Sequence, residues 1–137
     1  MNKKNFRHYS IGIPQIDEEH WELVKCVNKI ECAINDEEEF KAKKALDTFF
    51  IAFEKHCLSE ETLMKECEFI YLTAHIAHHT EELRKLKTYV DVVRDNLLYL
   101  NATEIRNIIM NHILQQDSQL LLSYSKKNLE SKTDDNI

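Results

Sequence analysis

Only one glycine and one proline occur in this 137-residue chain, and both sit near its start, at Gly12 and Pro14. From residue 15 to residue 137 neither breaker appears. Sheet proteins need turn residues between successive strands, so a chain without them has to turn rarely. The composition therefore predicts an all-α fold made of a few long helices. The length suits one domain, spanning 1–137, able to bury roughly two-thirds of its unfolded surface. A core of that size needs no metal merely to exist.

Four stretches show the three- and four-residue spacing of an amphipathic helix. The first carries Ile16, His20, Leu23, Val24, Val27, Ile30 and Ile34 on one face. Ala42, Ala45, Phe49, Phe53, His56, Glu60, Leu63 and Met64 mark the second. The third carries Leu72, His75, Ile76, His79, Leu83, Leu86, Val90 and Val93, and the fourth Ile105, Ile109, His112, Ile113, Leu120 and Tyr124. Asp36 with Glu39, and Asn101 with Glu104, fit the spacing of capping boxes. Residues 1–15 read as an irregular N-terminal arm, and those from about 131 as a polar, frayed tail. The segment Leu97-Leu98-Tyr99-Leu100 fits a continued third helix or an apolar loop. Short connections make sequence neighbours antiparallel, which predicts an up-down-up-down antiparallel four-helix bundle.

The formal charge of −6 argues against nucleic acid and anionic membrane as partners, because phosphate binding needs a basic patch. Nor does any apolar run reach the roughly 18 residues of a membrane span. Met1-Asn2-Lys3-Lys4-Asn5 has no apolar stretch behind it and is not a secretory signal. Cys26, Cys32, Cys57 and Cys67 form no C-x-x-C pair, so zinc and thioredoxin patterns are absent. Cys26, Cys32 and Cys67 read as small helix residues of a reducing, cytoplasmic protein. Cys57 is turned about 100° from its neighbour His56 on a helix, so it is not taken as a ligand.

Against this background the histidines form a pattern. His20, His56-x-x-x-Glu60, His75-x-x-x-His79 and His112-x-x-x-x-Asp117 fall on four separate helical stripes. Imidazole and carboxylate are the usual side-chain ligands of non-haem iron. In an antiparallel bundle, the start of the first helix, the end of the second and the start of the third meet at one end. The four groups then converge. An i,i+4 pair shares a face, whereas His112 and Asp117 diverge by about 140° on an α-helix, so Asp117 has to lean across. Any one such histidine alone is most simply a core residue with a hydrogen-bond partner. Five imidazoles and two carboxylates converging without a metal would bury polar groups and charges at several kcal/mol. His8 and His78 fall outside the set, and His78 reads as exposed. There is no H-E-x-x-H and no E-x-x-H, so zincin and ferritin-like readings fail.

Several segments resemble the hemerythrins, most closely the single-domain bacterial type. Gly12-Ile13-Pro14-Gln15-Ile16-Asp17-Glu18-Glu19-His20 is similar to the family's opening motif. Phe53-Glu54-Lys55-His56 through Glu60-Glu61, His75-Ile76-Ala77-His78-His79 and His112-Ile113-Leu114-Gln115-Gln116-Asp117 resemble its other three. The resemblance implies two non-haem iron ions joined by an oxo or hydroxo bridge. His75, His79 and His112 would hold one, His20 and His56 the other, with Glu60 and Asp117 bridging. It implies a monomer that binds dioxygen reversibly at an open position on the two-histidine iron, for storage, delivery or sensing. The alternatives are a di-iron redox enzyme acting on peroxide or nitric oxide, and an iron-handling protein. Leu23, Phe53, Leu63 and Ile113 are candidate apolar walls. No further acid or base is evident on the ligand stripes. The chain departs from the family in having Ile108 where Trp is frequent, Glu19 where Gln is common, no Pro before His75, and Trp21 directly after His20. None of these departures is expected to touch a ligand.

Overall fold

A computed structural model of the chain describes residues 1–116, 120 and 124, apart from the side chains of His8, Gln115 and Gln116. The helices are α1 (Lys3–Phe6), α2 (Pro14–Asn35), α3 (Glu39–Glu66), α4 (Leu72–Val92) and α5 (Ala102–Asn111). Single 3-10 turns span Arg7–Tyr9 and Leu97–Tyr99, and a π turn, His112–Gln116, follows α5. No strand occurs among the described residues, as the lack of breakers predicts. No helix among the described residues is long and apolar enough to cross a membrane.

The arm expected to be irregular is instead helical and anchored. Asn2 caps α1 through a 2.8 Å bond from the Asn5 amide, and Phe6 is buried against the Trp21 ring, 5.5 Å away. Gly12, at φ 84°, turns the chain into α2. Pro14 is the first residue of that helix, where its missing N–H would have had no helical partner. One turn later the Asp17 carboxylate accepts from the Ile11 amide (2.8 Å), the Gly12 amide (3.1 Å) and the Ser10 hydroxyl (2.6 Å). Three bonds to one side chain thus fix the arm to α2.

Helices α2 and α3 both stop without glycine. Glu37 and Glu68 take left-handed conformations, each at φ 55°. The Glu38 amide then donates to Ala33 O (2.8 Å) and that of Glu37 to Ile34 O (3.0 Å). Phe69 and Glu68 repeat the pattern on Met64 O and Lys65 O, at 2.9 and 3.2 Å. These are Schellman caps, which normally carry Gly at the left-handed position. The expected Asp36–Glu39 capping box is absent: Asp36 caps the end of α2, and the Glu39 carboxylate accepts from the distant Leu97 amide at 3.2 Å. Asn101 does cap α5, accepting from the Thr103 amide at 3.0 Å. Its own amide donates to the Tyr89 hydroxyl (3.1 Å), so a tyrosine serves the group a capping-box Glu104 would have served. The segment after α4 is neither continued helix nor plain loop. Its 3-10 turn buries Leu97 and Leu100 and leaves Tyr99 exposed. Ile76, expected on the inner face of α4, is exposed.

Among the described residues the interior divides into two apolar clusters. The larger includes Leu23, Ile30, Phe49, Phe53, Leu86 and Ile109. The smaller consists of Ile11, Ile13, Ile16, Met64 and Leu120, with Leu63, Phe69, Leu72 and Tyr124 packed against it. Burying each large side chain fully contributes about 1.5–3 kcal/mol. Between the clusters, on every long helix, lies a polar residue: His20 follows Ile16, His56 and Glu60 precede Met64, His75 and His79 follow Leu72, and His112 follows Ile109.

Candidate metal centre

Glu60 is the centre of this polar layer. It projects from α3 and is wholly buried. Its Oε1 lies 2.9 Å from His112 Nε2, 3.1 Å from His79 Nε2, 3.3 Å from His56 Nε2 and 4.0 Å from His75 Nε2. The ligand atoms of His20, His56, Glu60 and His112 all fall within 4.8 Å of one another, and Glu60, His75 and His79 form a second such group. Six of the seven residues singled out by spacing are therefore brought together, with Glu60 common to both groups. The seventh, Asp117, lies outside the described residues. Ligand-atom distances place His112 with His20 and His56, whereas the hemerythrin pattern pairs it with His75 and His79. Its ring is in fact intermediate, 5.4 Å from that of His56 and 5.2 Å from that of His79.

These separations suit ligands of a cation. With metal–ligand bonds of roughly 2.0–2.2 Å, adjacent ligands of an octahedral ion lie about 3 Å apart. Proton bookkeeping leads to the same place. His56 Nδ1 is 2.8 Å from Glu19 Oε1, and His112 Nδ1 is 2.9 Å from Glu82 Oε2. An ionised carboxylate only accepts, so each Nδ1 carries the proton and donates. In a neutral ring Nε2 is then a lone pair, and both lone pairs face the acceptor Oε1 of Glu60. A second proton on each ring, or a cation among them, relieves that conflict. His75 weighs for the cation: it is buried, and neither ring nitrogen has a hydrogen-bond partner among the described residues, while the His79 nitrogens approach Glu60 and Glu61 without the geometry of a hydrogen bond. Each such deficit is worth about 1–3 kcal/mol. Buried, orphaned imidazole nitrogens around a buried carboxylate fit a metal of the imidazole-and-carboxylate kind.

The carboxylates behind the rings were not found from sequence. Glu19, whose replacement of a common Gln was expected to touch no ligand, holds His56. Glu82, on α4, holds His112, and its other oxygen pairs with His78 Nε2. His78 is thus half-exposed and partnered rather than a bystander. Glu61 approaches His79 Nδ1 at 3.7 Å. Burial pushes the Glu19 carboxyl up, but the bond and charge of His56 bring it below its ordinary value. Burial opposes ionisation of Glu82 too, and His112 together with His78 outweighs it. Helical spacing offered one clue: Glu82 is four residues from His78 and three from His79, on the ligand side of α4.

Of the expected walls, Phe53 stands edge-on to His112 with ring centres 5.5 Å apart, and Leu23 and Ile113 are buried in the larger cluster. Leu63 packs instead on the smaller cluster, where Phe69 faces His75 at 6.4 Å. Cys57 is buried in the apolar core and belongs to neither ligand group. A surface groove of about 490 Å³ lined by Cys26, Cys32, Lys41 and Thr48 holds none of the ligands, so the buried layer is the candidate site. No family model matches the chain, and neither does any curated protein or solved structure.

Proposed function

We propose that the chain is a hemerythrin-like di-iron protein that binds dioxygen reversibly. The observation that carries this reading is Glu60, a buried carboxylate shared by two ligand groups that together bring five imidazoles around it. One carboxylate common to two groups is the arrangement that holds two ions side by side. Asp117 would supply the second bridge. In a π turn, side chains five residues apart share a face, and the π turn beginning at His112 is the register that suits the His112–Asp117 spacing.

The proposed architecture is the up-down-up-down four-helix bundle. Along α2 and α4 the chain passes from the smaller cluster through the ligands to the larger one. Along α3, and from α5 to Leu120, it passes the other way. Alternation of this kind is what antiparallel neighbours produce. When bound, the two irons would supply two electrons and a vacant position for dioxygen. The chain's own part is to orient the rings, hold protons on the Nδ1 atoms of His56 and His112 and exclude water with the flanking apolar clusters. Four cysteines without a C-x-x-C pair fit a reducing, cytoplasmic setting.

A second reading, a di-iron enzyme consuming peroxide or nitric oxide, is favoured by one observation. Acid–base groups expected to be absent do stand behind the ligands: Glu19, Glu61 and Glu82, the last reaching half-exposed His78.

Metal analysis after expression in iron-replete cells should give about two iron ions per chain and little zinc. An anaerobically reduced sample should colour with oxygen and bleach on deoxygenation without added reductant. One ion per chain, or a preference for zinc, refutes the di-iron reading. A single irreversible oxidation, or rapid peroxide consumption with a co-substrate, transfers the case to the enzyme.

A further inference from the structure

The His112 ring is packed by Phe53, His56 and His79, with centres 5.5, 5.4 and 5.2 Å away. Such neighbours restrict the plane of the ring. They do not distinguish its nitrogens from its carbons, because a half-turn about the Cβ–Cγ bond leaves the shape nearly unchanged. A hydrogen-bond acceptor behind the ring does distinguish them. Glu82 is that acceptor: its Oε2 is 2.9 Å from Nδ1, while Nε2 on the far side is 2.9 Å from Glu60 Oε1. Glu82 is itself held, since its Oε1 pairs with His78 Nε2 and its side chain is only 12% exposed. The line His78–Glu82–His112–Glu60 thus crosses from the surface of α4 to the buried centre.

We propose that Glu82 is a positioning residue that commits His112 to present Nε2 to the metal centre, with His78 fixing the carboxylate. This rests on the metal-centre reading, and it adds a residue that the ligand spacing does not contain. Outer carboxylates of this kind typically change metal affinity by about 10–100-fold when removed.

The test compares wild type, Glu82→Leu and Glu82→Gln, using Zn(II) alone as the probe and nitrogen-15 NMR of the histidine rings. Glutamine keeps an oxygen acceptor and leucine does not. In Glu82→Leu, Zn(II) affinity should fall about 10–100-fold, and the protected His112 Nδ1 proton should disappear. Glu82→Gln should stay folded by circular dichroism, keep that proton and recover most of the affinity. Wild-type affinity together with a protected Nδ1 proton in Glu82→Leu overturns the proposal. If wild type takes up no metal, the metal reading fails instead. The Nδ1 proton of the metal-free chain then decides Glu82 alone: lost in Glu82→Leu, the role stands; retained, it falls.

Discussion

Replacing His75 by leucine separates a ligand from a structural histidine. His75 is buried, both its ring nitrogens lack hydrogen-bond partners among the described residues, and its Nε2 stands 4.0 Å from Glu60. In the metal-free protein those nitrogens are a deficit of about 1–3 kcal/mol per group. Leucine removes the deficit and adds apolar burial, against a shape mismatch of about 1–3 kcal/mol. The balance is about 2 kcal/mol in favour of leucine. For a domain of this size that raises Tm by roughly 4–8 °C. Metal reverses the order. Wild type should gain about 2.7 kcal/mol at a free metal concentration of 100 Kd, and the variant, missing a ligand, much less. Thermal unfolding followed by circular dichroism, once with chelator and once with Fe(II) under anaerobic conditions, reads both halves. A chelated His75→Leu protein that is less stable than wild type by more than about 1 kcal/mol would make His75 a satisfied core residue and refute the reasoning.

The caps give a test away from the centre: Glu37→Gly and Glu68→Gly should each stabilise by about 0.5–1 kcal/mol, since the left-handed penalty exceeds glycine's entropy loss. Alanine at either position should give none of that gain, and the two glycine effects should add in denaturant titrations because the sites flank a long helix. Asp17→Ala should cost about 1–3 kcal/mol and speed amide exchange at Ile11 and Gly12, which lose their acceptor. Because Glu19 and Glu82 sit below their ordinary value of 4.5, the unfolded chain binds more protons there as pH falls. Their contribution is therefore complete above that value and lost as pH drops through the folded values. Glu82→Gln should flatten this acid limb of the stability curve, and an unchanged limb would exclude Glu82 as a contributor.

The helices and the histidines that gather between them were legible because both are written in local spacing. Three- and four-residue steps located α2 to α5 within a few residues, and the same steps placed His56 with Glu60 and His75 with His79. The helix ends were hidden because Glu37 and Glu68 occupy positions that sequence reasoning reserves for glycine. Asp36 looked like the start of a helix when it closes one. Glu19 and Glu82 were invisible for a different reason. Among 24 acidic residues they look like solvated surface, and only the rotation of one helix against another shows which carboxylates reach a ring. The π turn at His112 has no local signature at all, so the sequence alone continues an α-helical register through it.

The unequal division of the interior sets how the buried layer communicates with solvent. On one side the rings are sealed by the larger cluster, which draws on all four long helices. On the other, the seal among the described residues is five buried side chains with Leu63, Phe69, Leu72 and Tyr124 packed against them, and two of the five, Ile11 and Ile13, lie on the short link between the arm and α2. The free energy of a partial unfolding rises with the apolar surface it exposes, so lifting a short segment costs less than parting two long helices. Lifting that link would take two of those five side chains out of the seal beside the buried histidines. The Asp17 clamp, which holds the link down, would then act as the latch of a hatch and govern how fast ions and small molecules exchange with the interior.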